Sequence, residues 1–139
     1  MISRWAGAAA LAGHGLLHLP GAALLWRWGQ PGTLRYADMS PPPGTGAGIA
    51  VGGLWLVGGA LFVVTAISLL TGGSRWYRIM GVAVVVSCAA LLPSASMQVA
   101  AAGLVLDWIA LVVVIMVGAR AAEPATDHSP VRGLGAGLP

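Results

Sequence analysis

The sequence predicts an all-α polytopic membrane protein, an antiparallel four-helix transmembrane bundle. Composition, patterning and loop chemistry carry that prediction. Of 139 residues, 58% are hydrophobic and 8% charged, against about 25% charged in ordinary soluble domains. Mean hydropathy is +0.86. A soluble domain this small must cover most of its surface with polar groups, and this chain has too few. Disorder of the bulk is excluded as well, because it requires low hydrophobicity and high charge.

Four apolar runs follow one another: Trp5 to Trp26, Gly48 to Leu70, Trp76 to Leu92 and Val99 to Gly118. Each is roughly 17 to 23 residues long, the length a helix needs to cross about 30 Å of hydrocarbon. Inside lipid every backbone N–H and C=O must be paired within its own segment, which favours helices. Lipid-facing barrel strands would alternate apolar with polar residues, and these runs do not.

The first helix is expected over about residues 4–27. A second reading of this segment is a cleaved signal peptide, with Met1–Arg4 as its basic start. The length, the two histidines and the flanking Trp26 and Trp28 favour a retained span. Pro20 lacks an N–H and crowds the Leu16 carbonyl, so a kink is expected there. Arg27–Gly46, with Gln30-Pro31-Gly32 and Pro41-Pro42-Pro43-Gly44, reads as a loop.

The second helix is expected over about 47–71. Gly44, Gly48 and Gly52 recur every four residues, and Gly48/Gly52 form a GxxxG suited to close helix packing. Thr71–Ser74 is a tight turn. The third helix, about 75–93, ends at Pro93–Ser96, and the fourth covers about 97–119. Short connections make neighbouring helices antiparallel. The transmembrane domain is thus 1–119, and the Ala/Gly/Pro-rich 120–139 reads as a disordered cytoplasmic tail.

Seven arginines and no lysine give a net charge of +3. They do not cluster as a nucleic-acid footprint would, so nucleic acid is not an expected partner. With four spans, Arg4, Arg75, Arg78, Arg120 and Arg132 share one side, and Arg27 and Arg35 lie on the other. The positive-inside rule then places both termini in the cytoplasm, in the cell membrane. Trp5, Trp26, Trp28, Trp76 and Tyr77 stand at span ends, as belt residues do. Trp55 and Trp108 lie inside spans and read as packing or lipid-facing residues. The single Cys88 excludes an internal disulfide and a CxxC site.

Few polar groups enter the spans: His14 and His18, Thr65 and Ser68, Ser87, and Asp107, the one carboxylate. His14 and His18 are four apart and share a helix face. The spacing suits metal ligands but lacks the glutamate of a zinc protease. Asp107 requires a partner or a polar interior, because an intramembrane charge is costly. At 1.5 Å per residue, His18 lies roughly 20 Å and Asp107 roughly 18 Å from the cytoplasmic face, so the two helices can bring them together. The expected cluster is therefore His14, His18 and Asp107.

The strings Gly13-His14-Gly15-Leu16-Leu17-His18-Leu19, Gly53-Leu54-Trp55, Arg75-Trp76-Tyr77-Arg78 and Leu106-Asp107-Trp108 occur in that order. The chain thereby resembles a family of small four-span integral membrane proteins found in high-GC actinobacteria. That family has an HGLLHL-like first helix and an aspartate in the last. The likeness covers about residues 4–118, outside the Pro41–Pro43 loop and the tail. It implies the four-span fold and carries no catalytic role. The permease label attached to some such proteins finds no support, as no ATPase-coupling element is present.

Three functions follow from these residues. The first is a structural or accessory membrane protein, in a homo-oligomer or larger complex, with the polar cluster clamping its helices. The second is a small transporter or proton-coupled carrier using Asp107 and the histidines. The third is a metal-dependent membrane enzyme, with a divalent metal on His14, His18 and Asp107. No nucleophile–base pair, phosphate loop or cofactor fingerprint is present, so no cofactor is predicted.

Overall fold

The computed structural model describes residues 2–30, 32–94 and 98–122. The expected tail beyond 122 lies outside them. Within them the chain forms α1 (Ile2–Leu16), α2 (His18–Leu25), α3 (Gly46–Leu70), α4 (Trp76–Leu91) and α5 (Gln98–Ala122). A 3-10 turn at Leu92–Ser94 extends α4, and another, Tyr36–Asp38, interrupts the first loop. Four spans result, each long and apolar enough to cross a membrane, with α1 and α2 together forming the first.

The break in the first span lies at Leu17, three residues before Pro20. Pro20 cannot donate to the Leu16 carbonyl, so the ladder loosens one turn upstream. There the Leu17 N–H is shared between the carbonyls of Gly13, at 3.1 Å, and His14, at 3.2 Å. The histidines flank this break, His14 in the last turn of α1 and His18 at the start of α2.

At the far end of α2 the chain closes in a Schellman arrangement. Trp28 N–H bonds Ala23 O at 2.8 Å and Arg27 N–H bonds Leu24 O at 3.0 Å. Arg27 occupies the left-handed position, with φ 60°. Its guanidinium lies 5.7 Å from the centre of the Tyr36 ring. The loop is tied back at two further places. Gly44 N–H bonds Leu25 O at 2.9 Å. Ser94 Oγ–H, fully buried, bonds Ser40 O at 2.6 Å. The expected loop is therefore a packed cap on one end of the bundle.

Helix packing follows the glycines. A Cβ on Gly15 would stand 2.6 Å from Gly59 O, and one on Gly59 would stand 2.6 Å from Gly15 O. The backbones of α1 and α3 therefore touch, as small residues allow in membranes. Gly48 faces the Pro42 carbonyl, and Gly52 faces the Trp26 indole. Those two glycines seat the loop and the end of the first span. Gly21 faces the Trp55 ring.

The spans do not close into a ring. The first packs on α3, α3 on α4, and α4 on α5, whereas α1 and α5 have no extensive contact. The fourth span buries 11% of its 18-residue apolar stretch inside the protein, against 39%, 33% and 39% in the first three. A groove of about 460 Å³ separates α1 from α5.

Candidate functional site

Two apolar clusters enclose a polar layer. One gathers Leu24, Leu25, Met39, Trp55, Ala90 and Leu91 beneath the loop. The other gathers Phe62, Ala83 and Val84. Between them lie His14, His18, Ser87 and Asp107, of which His18, Ser87 and Asp107 are buried.

His14 Nε2–H donates to Asp107 Oδ1 at 2.9 Å, across the gap between α1 and α5. The carboxylate has no exposed surface. Its second oxygen, Oδ2, lies 3.8 Å from the Cys88 thiol, a weak donor. The ring of His14 also meets Phe62 edge-on, with centroids 4.5 Å apart. His14 Nδ1 is buried and has no hydrogen-bond partner among the described residues. The depth estimate matched Asp107 with His18, yet the bond is made by His14, one turn closer to the N-terminus.

His18 points elsewhere. Its Nδ1 lies 3.1 Å from His14 O, and a carbonyl can only accept, so Nδ1–H donates. In a neutral imidazole Nε2 is then the acceptor, and the Ser87 hydroxyl donates to it at 2.8 Å. The glycine pair of α3 makes this reach possible. A Cβ on Gly58 would stand 3.5 Å from both His18 Cδ2 and Ser87 Cα, and one on Gly59 would stand 3.1 Å from His18 Cβ. The imidazole thus passes over the bare face of α3 to α4. Trp55 Nε1–H closes the layer by donating to Ala90 O at 3.1 Å, one of the carbonyls that a helix end leaves open.

The three sequence-predicted residues share one layer without converging on one point. His14 Nε2 is engaged with Asp107, and both nitrogens of His18 are engaged with His14 O and Ser87. Among the described residues no three His, Cys, Asp or Glu side chains gather as a metal set. In this arrangement the three side chains face separate hydrogen-bond partners, Asp107 for His14 and Ser87 for His18. Trp108 points outward, 65% exposed, as expected from its 100° offset from Asp107 around the helix.

Ser87, Cys88, Gly58 and Gly59 belong to the layer although the sequence pattern does not join them to the histidines. The visible signal was the Gly58–Gly59 doublet, which marks where α3 admits a neighbouring side chain. Comparison with family profiles, curated proteins and solved structures finds no match to this chain.

Proposed function

We propose that the chain is a small structural or accessory membrane protein whose polar layer locks its helices in place. The observation that carries this reading is the His14–Asp107 bond. It joins two spans that otherwise share an open groove. The carboxylate lies fully inside the protein, where a hydrogen-bonding partner is needed to make it tolerable.

The two cavities beside the His14–Asp107 pair support the same reading. One is the groove beside His14. The other, of about 220 Å³, is lined by Val84, Cys88, Leu92, Leu104, Trp108 and Leu111 beside the carboxylate. Neither lining supplies the chain of polar groups that a proton or ion path requires. The carrier reading therefore ranks second. The sparsely packed fourth span offers a face for a second copy or for a larger complex. The arginine distribution favours cytoplasmic termini in the cell membrane.

The test is a pair of measurements on Asp107→Asn in detergent and in proteoliposomes loaded with a pH-sensitive dye. The structural reading expects a lower melting temperature and proton flux equal to wild type. Wild-type flux above that of empty vesicles, abolished by Asp107→Asn at full folding, would overturn it in favour of the carrier.

A further inference from the structure

The groove between the first and fourth spans has the dimensions and chemistry of a lipid site. Its α1 wall runs from Gly7 to Leu17, which at 1.5 Å per residue is about 15 Å, or one leaflet's share of the hydrocarbon core. Leu106 and Val113 stand on the opposite wall, and Trp76 lies at the mouth. His14 lines the inner part of the groove, at mid-membrane depth, and Leu17 stands about one turn beyond it. No side chain fills the space. A Cβ added at Gly13, which lines it, would meet nothing within 4 Å.

The mouth is basic. Arg4 lies one turn before Gly7, Arg75 adjoins Trp76, Arg78 follows, and all three are exposed. Arg4 Nη1 reaches to 3.6 Å from the Cβ position of Gly72 in the turn between α3 and α4, so its charge stays at that end. Arg120 closes α5 on the same side. Among the described residues the His14–Asp107 contact is the sole ion pair, so none of these arginines has a carboxylate partner there.

We infer that the groove holds one acyl chain of an anionic phospholipid from the leaflet at the arginine end, with the headgroup on Arg4, Arg75 and Arg78. The chain lies between α1 and α5, passes His14 and ends near Leu17. It supplies the packing that a closed bundle would obtain from direct contact between the two spans. Charge complementarity selects the headgroup, and the one-leaflet length selects a chain over a compact ligand. This inference rests on the four-span fold and is independent of the accessory role proposed above.

The experiment equilibrates the detergent-solubilised protein with phosphatidylglycerol and phosphatidylcholine of identical chains. Lipid retained through gel filtration is then measured by native mass spectrometry. Wild type is expected to retain a phospholipid, with phosphatidylglycerol preferred. Gly13→Leu grows into the groove from a Cβ position that meets nothing within 4 Å, and should abolish retention. Gly53→Leu is the matched control, since its Cβ is equally free of neighbours and lies outside the groove. Arg4→Gln, Arg75→Gln and Arg78→Gln should keep the chain and lose the headgroup preference, by about fivefold for each arginine.

Equal retention in the two glycine variants would overturn the inference, as would a retained second copy of the chain in place of lipid. If Gly13→Leu fails to fold, wild type alone decides, using phosphatidylglycerol with a mid-chain photoreactive group. Label concentrated on Gly7–Leu17 and Leu106–Val113 supports the site. Label spread evenly over outward residues such as Val57 and Val85 overturns it.

Discussion

His14 Nε2 and Asp107 Oδ1 stand 2.9 Å apart and form a bridge between two helices that barely touch. Asp107 is fully buried and His14 half-buried, and truncating either strands the polar group of the other. His14→Ala and Asp107→Ala should each lower unfolding free energy in micelles by about 1–3 kcal/mol. Their coupling should fall near the range of interhelical bonds in membranes, about 0.6–1.7 kcal/mol. The double variant should therefore be more stable than the sum of the two losses predicts. A double-mutant cycle read by thermal or SDS unfolding checks this, and strict additivity would show that the bond holds nothing together.

The contact between Gly15 and Gly59 predicts opposite signs for two similar substitutions on α3. Gly59→Ala places a methyl 2.6 Å from Gly15 O and 3.1 Å from His18 Cβ. Backbone cannot yield as a side-chain tip does, so the helices must separate and the imidazole must shift. Overpacking of this kind costs about 1–3 kcal/mol. At Gly53 the same methyl meets nothing within 4 Å, and Gly53→Ala should stabilise by about 0.5–1 kcal/mol through helix propensity. Thermal unfolding of the two variants side by side is the measurement.

How much of this was legible in the sequence depends on which property is asked for. Span number and position depend on apolar length, a local property, and α3 at Gly46–Leu70 differs by about one residue from the expected 47–71. The kink was legible because Pro20 acts on its own helix. Partner choice was not, because it depends on rotation and crossing of separate helices. His14 and His18 share a face in projection, yet the break at Leu17 and the bare surface at Gly58 and Gly59 send the two rings to different helices. Asp107 therefore takes His14, while Ser87 takes His18. The open seam between α1 and α5 was equally hidden, since an apolar helix reads the same whether protein or lipid surrounds it.

The loop cap predicts a local effect separable from the bundle. Ser94 Oγ–H is buried and donates to Ser40 O at 2.6 Å, tying the end of α4 to the first loop. Ser94→Ala removes the donor and leaves the Ser40 carbonyl unmatched, at about 1 kcal/mol. Most of that loss should appear as easier opening of the loop. Limited proteolysis near Arg35 should accelerate about fivefold while the global melting temperature moves little. An unchanged cleavage rate would mean that the contacts at Gly44 and Tyr36 suffice to hold the cap.

Trp55 and Trp108 have equal size and should differ sharply in consequence. Trp55 is 4% exposed, packs on Gly21 and donates to Ala90 O, whereas Trp108 is 65% exposed. Lipid is as apolar as the protein interior, so burial from water distinguishes neither residue. What remains is packing: Trp55→Ala opens a cavity among fixed neighbours and frees a carbonyl, at about 3 kcal/mol. Trp108→Ala exchanges a lipid contact for another lipid contact and should stay within about 0.5 kcal/mol. Trp55→Phe separates the two parts of the larger loss, since it keeps most of the volume and removes only the indole donor. Unfolding of the three variants in one detergent should rank Trp55→Ala below Trp55→Phe, and Trp55→Phe below Trp108→Ala. A Trp108→Ala loss as large as that of Trp55→Ala would place Trp108 in a protein–protein contact and identify α5 as an assembly face.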